Sequence, residues 1–128
     1  MKKTILMEKY PIYTLELFKS EMRVSSTDEV IEYLKEKIES HPIARFIAVF
    51  DHYSHTKALD GQIVDGLIDA KNIIFCFGPS IPNTKVLAVR PRSIAVCEFE
   101  DRIIIEFMEP PREEIHQTMQ DWAKGLIK

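Results

Sequence analysis

Two strand-like runs, Ile94 to Phe99 and Arg102 to Met108, stand back to back with only Glu100-Asp101 between them. A connection that short joins antiparallel neighbours, although a glycine would suit the turn better. The rest of the chain must supply the partners of that hairpin. Tyr13, Leu15 and Leu17 alternate with Thr14 and Glu16, the pattern of a half-buried strand, and Tyr10-Pro11 sets Thr4 to Lys9 apart as a separate short strand. Phe46 to Phe50 is apolar at every position and reads as a central strand covered on both sides, as does Ile73 to Phe77. Val86 to Val89 reads as a shorter strand.

Helical signals lie at both ends. Ser26-Thr27-Asp28-Glu29 is a capping box, Val30, Leu34 and Ile38 form one stripe behind it, and Pro42 closes the helix near Ser40. Pro110-Pro111 opens a second helix, Glu113 and Glu114 suit its positive end, and Ile115, Met119, Trp122, Ala123 and Leu126 make its apolar stripe. Between them, residues 51–62 are polar and irregular, and the helical spacing of Ile63, Val64, Leu67 and Ile68 is interrupted by Gly66. This order predicts an α+β fold: a single two-layer domain over residues 1–128, a mostly antiparallel sheet of about six strands, and two main helices, 27–40 and 111–127.

Composition limits the partners. With 45% hydrophobic and 29% charged residues, 128 residues can bury a core without disulfide staples. The net charge of −3, with Lys and Arg interleaved among acids, argues against nucleic acid. Apolar runs fall far short of the ~20 residues a membrane helix needs, so no membrane partner is expected. Glu8, Lys9 and Pro11 interrupt any signal-peptide core behind Met1-Lys2-Lys3. Two cysteines are too few for a disulfide scaffold, and a cytoplasmic protein with reduced thiols is the simplest reading. No cofactor is expected.

Chemistry concentrates in two places. In residues 76–92, CFGPSIPNTKVLAVRPR, Pro91 holds Arg90 extended, so Arg90 and Arg92 should project to one side and can grip a carboxylate or phosphate. Asn83 and Ser80, in a proline-braced loop, can add neutral donors. The competing reading pairs both arginines with Glu98, Glu100 or Asp101 on the hairpin, each surface pair contributing about 0–1 kcal/mol. The second place is DHYSH, where Asp51, His52 and His55 are metal-ligand types and Cys76 can be a fourth. The same residues suit a thiol or acid–base enzyme. Cys76 reaches them only if strands 46–50 and 73–77 run parallel; an antiparallel pair puts it at the far end. Set among Ile74, Phe75 and Phe77, Cys76 reads more simply as a buried structural residue. His41 and His116 read as surface residues, and Met119 and Trp122 as core or homodimer interface.

The segments DHYSHTKAL, AKNIIFCFGPSIPN and LAVRPRSIAV together resemble a family of small bacterial proteins catalogued only as a domain of unknown function. The resemblance runs nearly end to end, and FGP-x-x-PN and VRPRS are its most specific parts. It implies a small single-domain cytoplasmic protein and supplies no activity or site. Function therefore rests on the residues. A non-enzymatic domain that binds a small anion or associates as a homodimer is preferred, with a metal-dependent or thiol enzyme at Asp51, His52, His55 and Cys76 as the alternative.

Overall fold

The hairpin forms the middle of the sheet. In the computed structural model, which describes residues 1–128, β5 (Arg92–Glu98) and β6 (Arg102–Met108) pair antiparallel with Val96 opposite Ile105 and Glu98 opposite Ile103. β2 (Tyr10–Phe18) adds beside β6, β4 (Asp69–Cys76) beside β5, and β1 (Lys2–Leu6) and β3 (Arg45–Phe50) form the edges. All six strands are antiparallel, in the order β1-β2-β6-β5-β4-β3.

Alternation decides the two faces. Ile94 and Val96 of β5, Ile103 and Ile105 of β6, and Ile73 and Phe75 of β4 are fully buried on one face. Their neighbours Ala95, Cys97, Ile104 and Glu106 are half-exposed on the other. The buried face is covered by α1 (Thr27–Ser40), which packs on β3, β4 and β5, and by α3 (Glu113–Lys124), whose Trp122 ring lies 5.7 Å from Phe75. Val30, Leu34 and Ile38 of α1 have no exposed surface. Burying a side chain such as Leu34 contributes about 1.5–3 kcal/mol. The Ser26 hydroxyl caps α1 by accepting from the Glu29 N–H at 3.2 Å. No helix is long and apolar enough to cross a membrane.

The expectation of two main helices is corrected to three. α2 (His52–Ala58) occupies the stretch read as irregular. That stretch lacks an apolar stripe, and its order comes instead from a cap: the Asp51 carboxylate accepts from the Ser54 N–H at 3.0 Å and the Ser54 hydroxyl at 2.9 Å. The last helix is also shorter than 111–127. Arg112, at φ −107° and ψ 130°, is its extended N-cap, so Pro110 and Pro111 precede it, and Gly125 follows its last residue.

Three local readings change with the topology. Residues 63–68 are not helical, and Gly66 there takes φ +86°. Lys85–Val89 is a 3₁₀ helix, not a strand, because Asn83 Oδ1 accepts from the N–H groups of Lys85 and Val86 at 3.0 and 3.2 Å. The all-apolar run of β3 lies at an edge, with a bulge between Phe46 and Ala48 and with Ile47 53% exposed. Composition told strand from helix there, but not centre from edge. His116 is also buried, between the rings of Tyr13 and Phe107.

Candidate functional site

Both sequence clusters can be followed into space. β3 and β4 are antiparallel, with Phe50 opposite Asn72 and Arg45 opposite Cys76. Cys76 therefore lies about 17 Å along the strand from the level of Asp51. Asp51 is engaged as the cap of α2, and the hydrogen bonds from the Ser54 N–H and hydroxyl hold its carboxyl below the usual carboxylate range. The rings of His52 and His55 lean on Phe50 at 5.1 and 5.3 Å. No three His, Cys, Asp or Glu side chains are grouped to hold a metal ion, and the Cys76 sulfur accepts from the Gly78 N–H at 3.3 Å. Burial, followed by the nearby Glu106 and Asp69 carboxylates, pushes the other thiol, Cys97, up from its ordinary value, which favours the inert protonated form.

The second cluster becomes a cavity. β5 begins where β6 ends, so hairpin geometry brings residues 108–112 alongside residues 90–92. The chain leaving β4 at Phe77 and the first turn of α3 complete the walls. The resulting cleft is half open to solvent and has a volume of about 700 Å³. Lys85, Arg90, Arg92 and Arg112 line it, and no Asp or Glu does. Much of the remaining wall is apolar: Phe77, Val86, Val89, Pro110, Pro111 and Ile115.

Each cation is held differently. Arg92, only 9% exposed, donates to the Met108 carbonyl at 2.6 Å and to the Val89 carbonyl at 3.4 Å, while its buried Nε has no partner. Burial lowers the Arg92 pKa from its ordinary value, although a guanidinium stays protonated. Arg90 is extended, at φ −117° and ψ 151°, and donates to the Ser80 carbonyl at 2.7 Å. Its guanidinium lies so close over Gly78 that a Cβ there would overlap it, which explains the glycine. Lys85 is exposed, and Arg112 is exposed and paired with Glu114.

The acids considered as partners for Arg90 and Arg92 are elsewhere. Glu98 is at the opposite end of β5, about 20 Å away along the strand. There it accepts from the Lys19 ammonium at 2.7 Å, and from the Thr27 N–H and hydroxyl at 2.7 and 2.9 Å. Asp101 pairs with Arg102. None of the ion pairs involves Lys85, Arg90 or Arg92.

Of the residues singled out for a ligand, Arg90, Arg92 and Asn83 line the cavity, while Ser80 contributes the carbonyl that holds Arg90. Sequence reasoning missed Arg112 and the Pro110-Pro111 wall. The signal was present, because a hairpin with so short a loop places the end of its second strand beside the start of its first.

No curated protein matches the chain. Among solved structures it is similar to the crystal structure of an uncharacterized conserved protein, DUF302, from Bacillus stearothermophilus, with 14% identity and a TM-score of 0.59 over 90% of this chain and 94% of that one. At that identity the likeness is one of fold. The match to the family of unknown function DUF6858 runs over residues 1–128, cavity walls included, and the chain belongs to that family.

Proposed function

We propose that this protein is a binding domain that takes a small anionic ligand in the cavity between residues 77–92 and 108–115. One observation carries the reading: four cations line the cavity with no acid among its walls, and the innermost, Arg92, is buried with an unpartnered Nε. A desolvated guanidinium without a counter-charge is costly, and carbonyl hydrogen bonds compensate only part of that cost. An anion beside the guanidinium supplies the missing counter-charge. Arg90 and Arg92 form the grip, and Lys85 and Arg112 attract the ligand at the rim. The NH2 group of Asn83, whose oxygen is engaged in the loop, is a further donor. The two free cysteines suit a reducing, cytoplasmic setting.

Calorimetric titration of the purified protein with acetate, octanoate and inorganic phosphate tests the proposal. Saturable binding of at least one anion is expected, weakened at least about tenfold in an Arg90→Ala/Arg92→Ala variant. Unchanged affinity in that variant, with circular dichroism showing it folded, overturns the assignment.

A further inference from the structure

We infer that the ligand is an organic monoanion, a carboxylate carried on an apolar body; this rests on the anion-site reading above and specifies it. Volume is the first reason. About 700 Å³ is the size of a pocket for a whole organic molecule and far exceeds an inorganic ion. A lone phosphate would leave most of the space to water against Phe77, Val86, Val89 and Ile115.

The donors are the second reason. Phosphate sites built by a fold draw on converging backbone N–H groups, at a helix N-terminus or a glycine-rich turn. Three residues of this wall, Pro79, Pro110 and Pro111, have no N–H to give. The N–H groups of Lys85 and Val86 are already bonded to Asn83. The first turn of α3 carries Glu113 and Glu114, which oppose a dianion. Most of what remains is side chain: the forks of Arg90 and Arg92, which match the two oxygens of a carboxylate, with the Lys85 ammonium and the Asn83 amide beside them.

Burial orders the site from inside to outside. Arg92 is nearly buried, Arg90 half-buried, and Lys85 and Arg112 exposed. The carboxylate therefore sits on the arginine pair, and the apolar body lies along the proline and valine walls. Phe77 also gives the site a built-in reporter. Its ring stacks at 5.5 Å on Trp122, the only tryptophan in the chain.

The experiment follows Trp122 fluorescence, with calorimetry in parallel, as the protein is titrated with octanoate, 3-phenylpropionate, acetate, 1-octanol and inorganic phosphate. The better of the two apolar carboxylates should bind about tenfold or more tightly than acetate, from the added buried CH₂ groups. It should also bind about tenfold more tightly than 1-octanol, which lacks the charge. Phosphate should not compete. Arg92→Met should cut the preference for octanoate over octanol several-fold, and the neutral polar Val86→Asn should weaken octanoate while sparing acetate; two variants guard against one misfolding. Acetate or phosphate binding as tightly as octanoate would overturn the apolar body while leaving an anion site. Octanol equal to octanoate, or no binding by any of the five, would overturn both readings.

Discussion

Arg92 and Glu98 are the two ends of β5, on the same face of the sheet, and each is 9% exposed. Their surroundings are opposite in kind. Glu98 receives three donors, from Lys19 and from both the N–H and hydroxyl of Thr27, which ties β5 to the first turn of α1 and to the end of β2. Arg92 finds two carbonyls, no carboxylate, and nothing for its Nε. Equal burial thus covers one charge whose partners come from the fold and one whose partners are incomplete. A buried charge with complete partners is part of the structure; one left incomplete beside a cavity points to a ligand.

Removing each charge should separate the two roles. Glu98→Ala leaves the buried Thr27 donors unpaired and the half-buried Lys19 ammonium without its carboxylate, which costs about 1–3 kcal/mol. Urea denaturation should show that loss, with octanoate affinity retained wherever the variant is folded. Arg92→Met removes a poorly compensated charge and should change stability by no more than about 1 kcal/mol while weakening octanoate several-fold. Equal stability losses at the two ends would break the comparison.

Acid sharpens the same contrast. Burial alone would raise the Glu98 carboxyl pKa, but the hydrogen bonds from Lys19 and Thr27 outweigh it and hold the pKa below the ordinary carboxylate range. A folded pKa below the unfolded one means stability that is complete above the unfolded value, about 4.3, and lost as pH falls through the folded value. Urea midpoints measured from pH 7 to pH 3 should therefore fall, and the gap between wild type and Glu98→Gln should narrow towards the acid end. A gap that stays constant would refute the assignment.

How much of this was legible depends on the range of the interaction. The cap of α1, the stripe Val30-Leu34-Ile38 and the β5–β6 hairpin are short-range patterns, and each formed within a residue or two of its expected place. α2 was not legible, because one aspartate capping two groups of Ser54 leaves no periodicity. The edge position of β3 was hidden as well, since strand order is set by long-range pairing. At the candidate site, Arg90 and Arg92 could be read from a dense run of sequence. Arg112 could be found only by combining the hairpin with the loop. The fate of Glu98 depended on Thr27 and Lys19, 71 and 79 residues away in sequence.

A smaller effect is expected at Gly78. Alanine there would push the Arg90 guanidinium off the Ser80 carbonyl, a movement at the far end of a flexible side chain rather than in the backbone. Octanoate should bind several-fold more weakly while stability changes by less than about 1 kcal/mol. Full affinity in a folded Gly78→Ala protein would show that Arg90 is only a brace for the loop.

The smallest effects belong to DHYSH, which in sequence had as much chemistry per residue as the arginine loop. His52 and His55 are exposed, and their rings rest on Phe50 and make no hydrogen bond. The double substitution His52→Ala/His55→Ala should shift stability by no more than about 0.5 kcal/mol and leave anion titrations unchanged. Asp51→Ala should cost about 1 kcal/mol through the lost cap of α2, with the same unchanged titrations. A ligand effect from any of the three would show that chain-local residues suffice for a site in this fold. Its absence would fit a site at the open end of the β5–β6 hairpin, where distant segments converge on Arg90 and Arg92.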